Sequence, residues 1–403
     1  KSYGHRGEAV VQKNYNMIDK ALDAITQIDV PAEWKNLSDD MLHYEQTYHN
    51  AIGALAKEKS AINRSDFTKN VQAPIALLHG DEIPVSAFAN DQIVGGKVPL
   101  GTAKTEKRGV ALSVPVVDMD KCTQCNTCAM SCPHAVIRPF LLSQAEVDAK
   151  PDTFVTRKAK GGAEVAGLHY RIQVSPLDCT GCEVCVNACP DDALTMKHLA
   201  DVSKAESPNW EYAMGLPDRS SRFDTTSLKG SQFHQPLLEF HGACAGCGET
   251  PYVRLLTQMF GDRMMIANAT GCSSIWGAPY GSTPYTTRPD GTGPAWANSL
   301  FEDAAEYGMG MAVTTAVRRN ALKARVQELL LEGKDSPLSP ELYTQLNEWV
   351  ENFRNPAVCE ALSKSLPSLL KAEASKDPAI QEILDASDLL PKISNWIIGG
   401  DGW

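Results

Sequence analysis

The sequence predicts a multidomain protein of the α/β class, and three observations carry that prediction. Its 403 residues, 43% hydrophobic and 22% charged, are enough for two or three domains with cores of their own. Its C-terminal half alternates short apolar runs with long helical patterns, as layered sheets and helices do. Its middle holds two cysteine motifs of the same spacing, an internal repeat at about 118–198.

Taken in order, Val10, Val11, Tyr15, Ile18, Leu22 and Ile25 recur with helical period from Gly7 to about Ile28, and Val30-Pro31 ends the helix. A second helical stretch falls near Asp39 to Lys57. From about Ile62 to Val110 short apolar pieces are broken by Gly and Pro, which reads as a small α+β connector domain at 61–117 closing on a strand, Val110 to Val117. Residues 118–200 are the cysteine domain. From 201 to 403 an α/β domain is expected, with strands at Leu237 to Phe240, Met264 to Ala267 and Trp396 to Ile398. Ser299 with Glu302 forms a capping box after Gly291-Thr-Gly-Pro294, opening a helix to about Leu331 that Gly333 and Pro337 close. Ser339 to Ser387 reads as charged amphipathic helices in a solvated insertion, about 334–391.

The net charge of −11 excludes nucleic acid as a partner, since no basic stripe is present to neutralise phosphates. No run of 18 apolar residues suggests a membrane helix, and the start KSYGHRGEAV lacks a secretory pattern. It also lacks a methionine, so both ends are expected to be cuts through a longer polypeptide. Of twelve cysteines, ten lie in three tight groups, which fits metal ligation in a reducing, cytoplasmic compartment better than a secreted disulfide framework.

The first motif is Cys122-Thr-Gln-Cys125-Asn-Thr-Cys128-Ala-Met-Ser-Cys132-Pro133, and the second repeats it at Cys179, Cys182, Cys185 and Cys189-Pro190. Three thiolates two residues apart reach three irons of one cube, and in two-cluster ferredoxins the last cysteine of each motif serves the other cluster. Cys122, Cys125, Cys128 and Cys189 are therefore expected to hold one 4Fe-4S cluster, and Cys179, Cys182, Cys185 and Cys132 the other. The competing reading, two four-cysteine zinc sites, has no need of the Cys-x-x-x-Cys-Pro ending. A third group, His241-Gly-Ala-Cys244-Ala-Gly-Cys247-Gly-Glu249 with Gly271-Cys272, offers three ligands for a further cube. Gly242, Gly246, Gly248 and Gly271 would let backbone amides approach the sulfurs. Cys359 is the remaining cysteine, and its helical setting favours a buried apolar role over ligation.

These residues resemble one family, the pyruvate:ferredoxin (flavodoxin) oxidoreductases. The resemblance rests on YGHRGEAVVQKN, GTAKTEKRGVAL with its Glu106-Lys107-Arg108 signature, the paired motifs, and HGACAGCGETPY with GCSSIWG and GPAWANSLFEDAAEYGMGM. It implies a C-terminal portion of a multidomain 2-oxoacid oxidoreductase. Residues 1–60 would be the helical end of a CoA-side α/β domain, and 201–403 the first part of a doubly wound domain for thiamine diphosphate. It implies three 4Fe-4S clusters, thiamine diphosphate and Mg as cofactors, pyruvate and CoA as substrates, ferredoxin or flavodoxin as electron acceptor, and a homodimer. Carried over by position, Cys244, Cys247 and Cys272 would bind the cluster nearest the thiamine, whose fourth ligand is expected beyond Trp403. Glu249 and Cys272 would touch the thiamine, and Gly400, Asp401, Gly402 and Trp403 would form the loop for diphosphate and Mg. Asp401 suits the metal because a carboxylate on a glycine turn after a strand leaves room for phosphate oxygens. The second Mg ligand is expected downstream, substrate-clamping residues lie in domains outside this chain, and residues 1–403 alone are expected to be inactive.

Other residues have plainer readings. His134 and His241, beside the motifs, are expected to be hydrogen-bonded neighbours, Trp276 and Trp296 packing residues, and Arg288 with Gly291 and Gly293 a turn. The alternative function is a polyferredoxin module without thiamine chemistry. The third cysteine group and Gly400-Asp401-Gly402 discriminate against it, because a simple ferredoxin has no use for them.

Overall fold

A computed structural model describes residues 7–21, 23, 25–27, 29–32, 66–89, 93–94, 97–278, 282–299, 303–331 and 338–400. The chain divides into two compact units, 1–63 and 64–403. In the first, α1 spans Glu8–Ala21 and ends well before Ile28. The β-branched Ile25, Thr26, Ile28 and Val30 that follow are poor helix formers. The stretch Asp39 to Lys57 lies outside the described residues.

The second unit opens with helical turns rather than the expected α+β connector. A π-turn at Thr68–Gln72 leads into α2 (Ala73–Ala76), and 3-10 turns follow at Gly80–Glu82, Val85–Phe88 and Thr102–Thr105. The strand assigned to the connector belongs to the cysteine domain instead: β1 (Ser113–Val117) pairs antiparallel with Leu194–His198, and its Val114 is 1% exposed in that domain's core.

The elements of the cysteine domain after β1 are α3 (Thr127–Ser131), β2 (Ile137–Leu142), α4 (Gln144–Asp148), β3 (Arg157–Lys158), β4 (His169–Val174), α5 (Val184–Asn187), β5 (Leu194–His198) and α6 (Leu199–Met214). β1 pairs with β5, and β4 lies between β2 and β3, all antiparallel. The sequence repeat is also a backbone repeat. Gln124, Asn126 and Ala135 have positive φ, and so do Gly181, Glu183 and Asp192, each 57 positions on, the offset between Cys122 and Cys179. The unit β1-α3-β2 thus recurs as β4-α5-β5, and its strands pair crosswise. The domain extends past residue 200, because α6 places Trp210 in the same core as Ile137, Ile172 and Leu194.

The third part holds α7 (Leu228–Ser231), α8 (Thr250–Phe260), β6 (Met264–Asn268), α9 (Cys272–Gly277), β7 (Ala295–Asn298), α10 (Ala304–Leu331), α11 (Pro340–Glu351), α12 (Pro356–Glu373), α13 (Pro378–Asp385) and β8 (Ser394–Ile398). β6, β7 and β8 form a parallel sheet in the order β7-β6-β8, with Ile266 between Trp296 and Trp396. Gly308 lets α10 lie close on this sheet, because a Cβ there would collide with Ile397 and approach the Ala267 Cβ to 3.3 Å. Leu237 to Phe240 is not a strand. It makes one bridge, Leu238 to Tyr285, and its N–H groups go to the Thr257 hydroxyl, Pro284 O and His134 O, while Phe240 turns at φ +54°. The expected capping residue Glu302, with Gly333 and Pro337, lies outside the described residues. The Ser299 hydroxyl donates to Asp303 ahead of α10.

The insertion is not the solvated face expected of it. α11, α12 and α13 enclose a core with the second half of α10, in which Leu342, Leu346, Trp349, Leu366 and Ile380 are completely buried. Cys359 sits in that core beside Arg319, as a small apolar residue would.

Candidate iron-sulfur and cofactor site

The two motifs fold so that each last cysteine crosses over. One cavity is lined by Cys122, Cys125, Cys128 and Cys189, with Tyr170 and Pro190. A second is lined by Cys132, Cys179, Cys182 and Cys185, with Pro133 and His134. Helix α3 explains the exchange: it carries Cys128 near its start and delivers Cys132 just past its end, and α5 does the same with Cys185 and Cys189. The left-handed turn at Asn126 is locked by its side chain, which accepts from Tyr170 Oη at 2.6 Å and donates to Lys229 O at 3.0 Å. Backbone N–H groups already point at sulfur, Gly181 to Cys179 at 3.4 Å and Ala193 to Cys189 at 3.3 Å.

Burial raises the thiol pKa of Cys122, Cys128, Cys132 and Cys185, and pushes Cys179 up to about 12. Cys125 goes the other way: burial raises it, but hydrogen bonds from Thr127 and Thr123 outweigh that and hold it low. A buried thiol with a raised pKa ionises readily only if a cationic group enters beside it. Among the described residues no three His, Cys, Asp or Glu side chains converge as one metal ion would require. The sulfurs instead stand around a cavity, an arrangement that fits a group with its own volume.

The third group packs directly on the second cavity. Cys244 and Cys247 share a turn closed by Cys247 N–H to Cys244 O at 3.1 Å. Gly246, at φ +72°, comes so near that a Cβ would lie 3.6 Å from the Cys182 Cβ. Two histidines fasten this junction. His241 donates from Nε2 to Pro133 O at 2.7 Å and accepts at Nδ1 from Ala243 N–H at 3.3 Å, which satisfies a neutral ring. His134 lies between His241 O and Cys244 O, 3.2 Å from each. Their rings are 4.3 Å apart. Lys107 pairs with Asp178, next to Cys179, at 2.5 Å and lies over the Phe240 ring, while Arg108 reaches Phe240 O. Arg138, paired with Glu239, covers the same ring.

Burial, followed by the neighbouring His134, pushes His241 down to about 3. An unfolded histidine binds its proton near pH 6.5, so between pH 6.5 and about 3 the unfolded chain holds the extra proton and stability falls with pH. The unfolding free energy should drop by about 2 kcal/mol more from pH 7.5 to pH 5 in the parent chain than in His241→Gln. Parallel urea-unfolding curves for the two would refute this.

Cys272 starts α9 at the C-terminal edge of the parallel sheet, the edge at which α/β sheets bind ligands. Gly400, just past β8, meets it there: a Cβ on Gly400 would lie 2.5 Å from the Gly271 Cα. Glu249 precedes α8 and accepts from Trp276 Nε1 at 3.4 Å. At this edge Asn268 Oδ1, at the end of β6, and Ser273 Oγ, in α9, are buried without partners. An orphaned hydroxyl donor suits a phosphate oxygen and an orphaned amide oxygen a cation, so this pair fits a diphosphate with its metal ion. Gly400 and Cys272 are thus brought together, while Asp401, Gly402 and Trp403 lie outside the described residues. Asn268, buried at the end of β6 and bonded to Asn298, was invisible to sequence reading, since a lone Asn after an apolar run reads as a turn. Arg288 turns back on Thr292 and faces Asp262, as a loop residue does.

The chain is similar to known proteins over its whole length. Residues 114–190 match a 4Fe-4S dicluster domain, and residues 55–111 a domain of unknown function called EKR. All of the chain aligns with a pyruvate dehydrogenase (NADP+) of Cryptosporidium parvum at 46% identity, covering 23% of that protein. It aligns equally fully with the pyruvate:ferredoxin oxidoreductase of Moorella thermoacetica and the pyruvate-flavodoxin oxidoreductase of Klebsiella pneumoniae, at 44% each, covering 33% and 32% of them. The chain therefore spans about a quarter to a third of the length of these curated relatives. No helix among the described residues is long and apolar enough to cross a membrane. Over its full length, then, this chain is a relative of one segment of the pyruvate oxidoreductases that bear these names.

Proposed function

We propose that the chain is the electron-carrying part, with one side of the reaction centre, of an enzyme that oxidatively decarboxylates pyruvate to acetyl-CoA and carbon dioxide. The observation that carries this reading is the lining of the two cavities, three cysteines from one motif and the last cysteine of the other in each. Two cubes need that exchange, and two separate zinc ions do not. In this reading Cys122, Cys125, Cys128 and Cys189 hold one 4Fe-4S cluster and Cys132, Cys179, Cys182 and Cys185 a second. Cys244, Cys247 and Cys272 take three corners of a third. Glu249 and Cys272 would face thiamine diphosphate, and Gly400, Asp401, Gly402 and Trp403 its diphosphate and Mg. Thiamine diphosphate, when bound, supplies the electron sink for decarboxylation, and the clusters take electrons singly.

The chain's own residues bring the Cys244–Cys247 turn against the second cavity. The Cys244 turn lies against Cys182, so the third group stands beside the second cavity. Phe240, held between Lys107 and Arg138, excludes water from the junction. Exposed free thiols at Cys244 and Cys272 suit a reducing, cytoplasmic setting. Relatives named for NADP+, ferredoxin and flavodoxin all align with the whole chain. We therefore assign the choice of acceptor, ferredoxin or flavodoxin in the first instance, to parts of the longer protein outside this segment. Iron analysis with fluorescent detection of released thiamine tests the reading on full-length protein. About twelve irons and bound thiamine are expected. About eight irons and no thiamine would leave only a polyferredoxin-type electron carrier.

A further inference from the structure

Arg254, on α8, is 2% exposed. Its Nη1 donates to Gln232 Oε1 at 2.9 Å and to Gln258 Oε1 at 2.8 Å, and its Nη2 donates to Met130 O at 2.7 Å. All three acceptors are neutral, and the Nε N–H has no acceptor. Among the described residues no carboxylate pairs with it, and Glu239 at the same junction is taken by Arg138. A buried cation without an anion is one of the costliest groups a fold can carry. Arg319 shows the contrast: it too lacks a carboxylate, but all its nitrogens are bonded and it stacks 4.1 Å from the Phe353 ring. Arg254 has neither compensation.

The missing anion has one evident source. Met130, which Arg254 holds by its carbonyl, lies on α3 two residues before Cys132, the cysteine that completes the second cavity. We propose that Arg254 is the buried counter-cation of the cluster held by Cys132, Cys179, Cys182 and Cys185, and that it holds that cluster's reduction potential above the value it would have without the charge. This rests on the cluster assignment proposed above. One electron entering the cluster adds one negative charge to it. A fixed guanidinium nearby stabilises that reduced form more than the oxidised one. An electron on the second cluster is thereby held more tightly than it would be without Arg254.

The test is a mediated potentiometric titration with dithionite, followed by electron paramagnetic resonance, on full-length protein under anaerobic conditions. The relevant signal is the one that Cys132→Ala abolishes. Arg254→Gln should shift its reduction equilibrium at least tenfold toward the oxidised form, a fall of about 59 mV for one electron. Gln232→Glu keeps the guanidinium but sets a carboxylate against it, and should shift the same signal in the same direction. It carries the test alone if Arg254→Gln does not load iron. Arg254→Lys keeps the charge without the fork and should stay near the parent, which a purely structural role would not predict. Full iron with an unmoved potential in Gln232→Glu and Arg254→Gln overturns the inference and leaves the cluster reading intact. Parent protein with no iron signal dependent on Cys132 sinks the cluster reading itself.

Discussion

Cys189→Ala should cost the chain the iron of the first motif's cavity and leave that of its own motif in place. Cys189 lines the cavity of Cys122, Cys125 and Cys128, whereas its motif neighbours Cys179, Cys182 and Cys185 line the other with Cys132. If each motif were a closed four-cysteine site, the same substitution would empty the second cavity instead. Iron per chain should fall by about four in the single variant. Double variants then separate the two readings. Cys189→Ala with Cys122→Ala should lose no more iron than either alone, since both strike one site, while Cys189→Ala with Cys179→Ala should lose both clusters. Cys132→Ala should mirror the pattern. Loss of about eight irons from Cys189→Ala with Cys122→Ala, and about four from Cys189→Ala with Cys179→Ala, would overturn the crossed arrangement.

The crossing was legible because cysteine chemistry is tied to spacing, and the spacing recurs with an offset that the backbone repeats down to its left-handed residues. The parallel strands β6 and β8 were legible as apolar runs before turns. Leu237 to Phe240 failed for a physical reason: a run of four apolar or mixed residues has the same pattern whether its N–H groups meet a ladder or a loop. The strand β7, Ala-Trp-Ala-Asn, failed in reverse, since one tryptophan among small residues gives no period. Arg254 could not be found at all. Within Thr-Pro-Tyr-Val-Arg-Leu-Leu it reads as the solvent face of an amphipathic helix, and its burial follows from α3 packing across that face. The charged insertion misled by composition. Its Lys residues and all its Glu residues but the buried Glu373 face outward, yet nearly every third or fourth residue of α11 to α13 is apolar and buried.

That insertion supplies the other large effect. Arg319→Met should destabilise the helical core by about 2–4 kcal/mol, read from urea unfolding and from hydrogen exchange in α11 to α13. The guanidinium reaches Phe353 O at 2.8 Å, Leu389 O at 3.0 Å and Leu390 O at 3.3 Å, three carbonyls on the loops that close α11 and α13. Leu390 O keeps a donor without it, from Trp349 Nε1 at 2.8 Å. Leu389 O would lose its buried donor, at about 1–3 kcal/mol, and Phe353 O would keep only the weak Cys359 thiol at 3.6 Å. Against this stands the relief of no longer burying a cation, which makes apolar replacement of some buried charges neutral. Here the acceptors are backbone and cannot be removed with the arginine, so the loss should win. Arg319→Lys should recover little, because one ammonium on a flexible stem cannot span carbonyls fixed to suit a planar fork. A methionine variant within about 0.5 kcal/mol of the parent would show that the loops relax to meet water and that the arginine is dispensable.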